Sequence, residues 1–360
     1  MAGIYKHSQF AADLHGHGGN KRAAQIIQLL DDANIKYLDL DIATEQKNRS
    51  LSSLIRGLRY SKNLRIGLKN NYAIGRYLNI FEEIIALTKP SFFIWESTVT
   101  YNLLLAEILN SHNIPFVALP HNLESLITGS YSIVSKIKSP GWLLEESHYL
   151  RKSLETFTIS REEQWLLSLH DVKATYLPYY PPEQLKEHLL SVRQRKLQFE
   201  RTIGSVEVLL LGTFHNKPTR DGYIEVLKSL KKYPDIVVNV AGYGSEQLTD
   251  LYDSRSIKIW GSVTVEQLTQ LIIKCQYAII HQEPTTGALT KIPELIIAGI
   301  PILANVFAGR SFIGVKGVSI YNDFHELLEL IHSNGFDMPP LLERPTEEQN
   351  FISIIKNSVS

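Results

Sequence analysis

From residue 22 to residue 307 the chain alternates between runs with a helix's period and runs with a strand's period, and that alternation restricts it to one class of fold. Residues 22–32, RAAQIIQLLDD, put Ile26, Ile27, Leu29 and Leu30 on one helical side, and IKYLDLDI at 35–42 then alternates as a strand does. SFFIW at 91–95 reads as a strand, 101–113 as a helix and IPFVALP at 114–120 as the next strand. The ladder resumes with VEVLLLG (206–212), a helix at 222–232, DIVVNVAG (235–242), IKIWG (257–261), a helix at 264–274 and QYAIIH (276–281). It closes on a helix at 291–299 and PILANVF at 301–307. Strands separated by helices of this length form right-handed βαβ units, so the expectation is α/β with largely parallel sheets covered on both faces.

At 360 residues there is room for two such domains. The break is read at LPYYPPEQL (177–185), where adjacent prolines interrupt regular structure ahead of a basic helical stretch. The expected organisation is a Rossmann-like domain over 1–180, a linker over 181–205, a second Rossmann-like domain over 206–340 and an amphipathic C-terminal helix over 341–360. Two such domains are expected to face each other across a cleft that receives ligands at the carboxyl ends of the strands.

Charge and cysteine content narrow the function. With 37 basic and 37 acidic side chains the formal charge is +0, which gives no long-range field to hold nucleic acid. The single cysteine, Cys275, has no internal disulfide partner, and the first residues lack the apolar run of a signal peptide, so a reducing cytoplasm is expected. The most apolar stretch, 292–307, contains Pro293 and Glu294 and does not read as a membrane span.

Four places offer chemistry. The loop His15-Gly16-His17-Gly18-Gly19-Asn20-Lys21-Arg22 precedes the first helix, where Gly18 and Gly19 let backbone N–H groups approach a phosphate; the competing reading is an entry turn with solvent-facing histidines. His121 and Asn122 come directly after a strand, where a histidine either orients a reacting hydroxyl or caps the next helix. After Gly212, Lys217 and Arg220 are cations at a helix start, suited to a departing diphosphate or to solvent. Finally, HQEPTTGALTKIPELIIAGIPILAN at 281–305 runs from a strand through a Thr-Thr-Gly loop into a helix bearing Glu294 and a turn at Gly299.

That last stretch resembles the donor-binding segment of GT-B glycosyltransferases of family 4, with Gly287, Glu294, Gly299 and Pro301 matching its loop and E-A-x-A-x-G-x-P helix. The resemblance implies that Glu294 holds the ribose of a nucleotide sugar, while the first glutamate of the family's E-x7-E motif is replaced by Thr286. Thr213 and Pro218 stand where the family has its basic pair, which moves the diphosphate role to Lys217 or Arg220. His121 resembles the family's acceptor-side histidine, and Gly18-Gly19-Asn20-Lys21-Arg22 its glycine loop; AGYGSE (241–246) and IWGSVTVEQL (259–268) match its packing turns. The resemblance as a whole implies a glycosyltransferase moving a sugar from a nucleotide-diphosphate donor to a hydroxyl acceptor on a glycan or lipid-linked sugar. Retention is implied, and neither cofactor nor metal is. Thr286 and Thr213 keep open a non-catalytic nucleotide-sugar-binding protein, and the fold keeps open a nucleotide-sugar 2-epimerase. The Asp39-Leu40-Asp41 triplet has the form of a metal-binding D-x-D but falls in a strand of the first half, so it is read as a strand-end pair.

The opening AGIYKHSQF is less apolar than a central parallel strand should be. Residues 47–80 hold Lys47, Arg49, Arg56, Arg59, Lys62, Arg65, Lys69 and Arg76 with no acidic side chain. With leucines and isoleucines interspersed, they read either as a cationic face resting on an anionic membrane or as a solvated face over core leucines.

Overall fold

A computed structural model describes residues 3–40, 50–62, 66–200, 204–333 and 337–359. The chain divides into two compact units, one of residues 1–179 and 345–360, the other of residues 180–344.

The first unit is built on six parallel strands, β1 (Ile4–His7), β2 (Tyr37–Asp39), β3 (Phe92–Trp95), β4 (Phe116–Ala118), β5 (Glu155–Thr158) and β6 (Ala174–Tyr176). They lie in the order β2-β1-β3-β4-β5-β6. Its helices are α1 (Gly18–Asp32), α2 (Leu51–Ser61), α3 (Leu68–Thr88), α4 (Leu105–Ser111), α5 (Gly141–Leu150) and α6 (Arg161–Ser168). Phe93 and Trp95 enter one core with α3 and α4, while Phe92 and Ile94 enter another with α1, which is why FFIW reads as an unbroken apolar run. The expected helix at 101–113 opens as a 3-10 turn, Thr100–Leu104, before α4. Within the expected strand at 35–42 the structure has β2 at Tyr37–Asp39, and Asp41 lies outside the described residues.

The opening strand, unpromising by composition, is nonetheless interior: β1 pairs with both β2 and β3. Its polar members Lys6 and His7 are buried because partners meet them there, not because the strand is at an edge.

The second unit begins with α7 (Glu183–Gln198) and carries β7 (Val206–Leu211), α8 (Lys217–Leu230), β8 (Ile236–Ala241), α9 (Thr249–Tyr252), β9 (Ile257–Gly261), α10 (Val265–Lys274), β10 (Tyr277–Ile280), α11 (Lys291–Ile297), β11 (Ile302–Asn305), α12 (Val306–Gly309), β12 (Val318–Tyr321) and α13 (Phe324–His332). The strands are again all parallel, in the order β12-β11-β10-β7-β8-β9. The expected linker 181–205 therefore holds α7, which belongs to this unit. Pro181 and Pro182 precede the helix and do not isolate it, Leu185, Leu189 and Val192 are buried, and the buried Lys196 Nζ donates to the carbonyls of Ile272 (2.6 Å), Ile273 (3.1 Å) and Cys275 (2.6 Å) at the end of α10. The last helix, α14 (Glu347–Val359), returns to the first unit, where Phe351 meets the Phe157 ring at 5.1 Å.

Helices α2 and α3 pack backbone to backbone. A Cβ added at Gly75 would overlap the Ser53 carbonyl oxygen, and one added at Gly57 the Asn71 carbonyl. Gly75→Ala should destabilise the protein by about 1–3 kcal/mol in urea denaturation, because separating the helices outweighs the roughly 1 kcal/mol of helix propensity that alanine gains. An unchanged or raised stability would mean that the pair slides apart freely.

Candidate active site

In each sheet the chain starts in the middle, builds outward one way and then returns to build the other way. That places a switch point between β1 and β3 in the first unit and between β7 and β10 in the second. Ligands of open α/β sheets sit beyond the carboxyl ends of the strands at such points.

At the first switch point Glu96, one residue past β3, is buried at 2% exposure and is met by both His121 and Lys6. Its Oε1 accepts from His121 Nε2 at 3.0 Å, and its Oε2 lies 3.4 Å from Lys6 Nζ, which also reaches Asp39 Oδ1 at 3.3 Å. Burial alone would raise the Glu96 carboxyl. The hydrogen bond and charge of His121, the Lys6 ammonium and the Ser8 hydroxyl outweigh it and hold the pKa below its ordinary value. His121 is thus tied to an ionised carboxylate, and its ring lies against Phe10 at 4.9 Å. Phe10 also meets His17 at 4.9 Å and packs on Gly19, where a Cβ would come within 2.7 Å of the ring.

His17 is the N-cap of α1, its Nδ1 accepting the Gly19 N–H at 3.1 Å, so one backbone donor of the Gly18-Gly19 turn already has a partner. Arg22, the basic residue of the glycine-loop resemblance, turns inward. It donates to Leu177 O at 2.7 Å, Pro178 O at 3.2 Å and Gln25 Oε1 at 2.6 Å. Burial lowers its pKa to about 10, which leaves it charged at neutral pH.

The backbone after His121 is held by two buried glutamates. Glu163 Oε1 accepts from Leu123 N at 3.3 Å, and Glu146 accepts from Glu124 N at 2.9 Å and Ser125 N at 3.0 Å. Burial pushes the Glu146 carboxyl up to about 7 in spite of those bonds. A carboxyl raised from 4.5 to about 7 on folding contributes most below pH 4.5 and loses that contribution as the pH climbs through 7. The stability difference between wild type and Glu146→Gln should therefore fall by about 2–4 kcal/mol across that interval in denaturant titrations. A difference that does not change with pH would place the Glu146 titration elsewhere.

At the second switch point β7 ends at Leu211, whose carbonyl accepts from Lys291 Nζ at 2.8 Å; the ammonium also lies 5.6 Å from the Tyr223 ring centre. Lys291 comes from the first turn of α11, after the loop leaving β10, and a Cβ built on Gly212 would lie 3.1 Å from its Nζ. In that loop Gly287 takes φ +72°, a conformation glycine favours, and its carbonyl accepts from Arg310 Nη2. Thr286 beside it is half-buried. Glu294 is 8% exposed, so the alternative of a solvated helix carboxylate does not hold. Gln282, just past β10, is 2% exposed, and its Oε1 has no hydrogen-bond partner among the described residues. Lys217 and Arg220 both turn to Asp221, Lys217 through Oδ2 and Arg220 through Oδ1 at 3.1 Å, with Lys217 77% exposed. His281 is held neutral: burial lowers its pKa to about 4, and its Nδ1 lies 2.7 Å from the Tyr321 hydroxyl.

No family model matches the sequence, and no curated protein does. Solved structures match over nearly the whole chain. Sucrose-phosphate synthase of Thermosynechococcus elongatus superposes with a TM-score of 0.62 at 12% identity, over 100% of this chain and 95% of its own. HepE of Anabaena, in complex with UDP, gives 0.60 at 12% identity, over 92% of this chain and 89% of its own. The fold is GT-B. UDP-GlcNAc 2-epimerase of Methanocaldococcus jannaschii also matches, with a TM-score of 0.53 at 12% identity over 99% of both chains. At such identities these likenesses speak for the GT-B fold alone.

Sequence reasoning missed Glu96, Lys6 and Lys291. A signal for Glu96 was present, since a glutamate closing the run SFFIW sits at the end of a buried strand. For Lys291 the signal was a basic residue three before Glu294 on the same short helix. Among the described residues no group of three or more His, Cys, Asp or Glu is placed to hold a metal. Of the D-x-D, Asp39 pairs with Lys6.

Proposed function

We propose that this protein is a glycosyltransferase that moves a sugar from a nucleoside diphosphate to a hydroxyl acceptor on a glycan or lipid-linked sugar. The observation that carries this reading is the second switch point, where Lys291 Nζ reaches the end of β7 from the first turn of α11, the helix that follows the Gly287 loop and carries the buried Glu294. A ribose diol is matched by a carboxylate and a diphosphate by a cation. HepE, of like fold, was solved with UDP and with UDP-glucose, which supports a nucleotide-sugar donor here. In the transfer the bond from the anomeric carbon to the diphosphate oxygen breaks and a bond to the acceptor oxygen forms on the same face. The acceptor proton passes to the leaving phosphate oxygen, so no enzymic nucleophile is needed, and the Lys291 ammonium is placed to meet the charge of the diphosphate. His121, oriented by Glu96, serves the acceptor side.

A second reading, 2-epimerisation of a nucleotide sugar, is favoured by the likeness to UDP-GlcNAc 2-epimerase and by the Glu96–His121 pair, which supplies an acid and a base in contact. Incubation with UDP-, GDP- and ADP-sugars separates the two. Transfer releases nucleoside diphosphate only with an acceptor, whereas epimerisation needs none and exchanges the C2 hydrogen with solvent deuterium. Tight binding of a donor with neither outcome, over a broad acceptor panel, would support the non-catalytic binding protein instead.

A further inference from the structure

Helix α2 leaves part of its apolar surface at water. On its inward side Ser53 and Gly57 are buried against Asn71 and Gly75 of α3, Leu54 and Leu58 are half-buried and Tyr60 packs against the core. Its outward side is apolar, with Leu51 72% and Ile55 51% exposed, and Leu68 at the start of α3 is 64% exposed. Leaving Leu51 and Ile55, one turn apart on the same helix face, in water runs against the hydrophobic effect, and apolar side chains grouped outside in this way mark an interaction surface. The cations are also outside: Arg59, Lys62 and Lys69 are exposed. Arg56 leaves this set, since it is bound to Glu82 Oε2 at 2.9 Å and Asn79 Oδ1 at 2.8 Å. No acidic residue occurs between Glu45 and Glu82. The reading of a solvated face over core leucines does not hold in full: Ile66 is core, but Leu51, Ile55 and Leu68 are not, while Lys47, Arg49 and Arg65 lie outside the described residues.

We propose that the outer face of the α2–α3 hairpin docks on an anionic lipid bilayer, with Leu51 and Ile55 entering the headgroup–acyl boundary and Arg59, Lys62 and Lys69 meeting lipid charge. The pairing of exposed leucine and isoleucine with uncompensated basic residues is what fits a bilayer rather than a nucleic acid, whose phosphates would use the cations and leave the apolar face wet. Among the described residues no helix is long and apolar enough to cross a membrane, so attachment is peripheral. The inference does not depend on which nucleotide sugar is bound, and its test does not read activity.

The 360-residue protein is sedimented with vesicles of pure phosphatidylcholine, or of phosphatidylcholine with about two-fifths phosphatidylglycerol, at low and high salt. Binding is expected only to the anionic vesicles and should weaken with salt as charge is screened. Each basic residue is expected to contribute about fivefold in partition, so R59Q/K62Q/K69Q should bind about a hundredfold more weakly. L51S/I55S should also lose binding at unchanged charge. The lipid and salt dependence of wild type needs no variant, so a variant that fails to fold leaves the test intact. The proposal is overturned by a wild type that stays in the supernatant with anionic vesicles at low salt, or binds neutral vesicles equally well. It is also overturned by binding of single-stranded RNA in place of vesicles, or by a dimer in light scattering that L51S/I55S dissociates without any lipid binding.

Discussion

Glu96→Ala is expected to destabilise the protein by about 3–5 kcal/mol, the cost of breaking a buried ion pair from one side. Lys6 is 2% exposed, and among the described residues the one carboxylate left to its ammonium without Glu96 is Asp39, whose side chain is 65% exposed and screened by water. His121 loses its partner in the same step. Chemical denaturation at neutral pH measures the loss, and Glu96→Gln, which keeps the shape and one hydrogen bond, should fall between the two. Acid should act in the same sense. A carboxyl whose pKa is lowered on folding contributes fully above its unfolded value, near 4.5, and loses that contribution as the pH falls through the folded value. The sign is opposite to that of Glu146, so the two groups are separable in one pH series. A loss below about 1 kcal/mol for Glu96→Ala would mean that the Lys6 ammonium reaches water instead of depending on the carboxylate.

Lys291→Met should weaken binding of a nucleoside diphosphate about 10–100-fold and leave the nucleoside nearly unchanged, as expected where one charge-assisted contact is lost. Methionine keeps the reach over Tyr223, which limits damage to the fold. The double variant Lys217→Ala/Arg220→Ala is the informative comparison, because both side chains lean on Asp221 while Lys291 stands at the end of β7. Isothermal titration of all three forms ranks them. A larger loss in the double variant than in Lys291→Met would return the diphosphate to Lys217 and Arg220.

The parts of the fold that were legible in the sequence are those where one local cause decides. SFFIW, VEVLLLG and QYAIIH are strands buried on both faces, so their apolar runs stand out. The helix read at 264–274 also has a local cause: Thr264 and Gln267 form a capping box at the start of α10. The C-terminal helix was legible by its amphipathic period, but that it completes the first unit was not. Where reading failed, the cause lay in contacts between residues far apart in the chain. Polar β1 looked unfit for a sheet interior because Glu96, which neutralises Lys6, belongs to another strand's end. The proline pair at 181–182 looked like a break because the apolar side of α7 shows its purpose only against α10 and α11. The basic run at 47–80 showed its charge but not the close glycine contact between α2 and α3.

The measurement closest to the central claim, that the end of the second sheet receives a nucleotide sugar, is calorimetric titration of UDP and GDP and their hexose conjugates into wild type and Glu294→Ala. Expected is saturable binding of at least one nucleoside diphosphate by wild type, weakened about 10–100-fold in the variant through loss of a charge-assisted hydrogen bond to the ribose. Equal affinities in the two proteins, or no binding of any of these ligands to wild type, would contradict it.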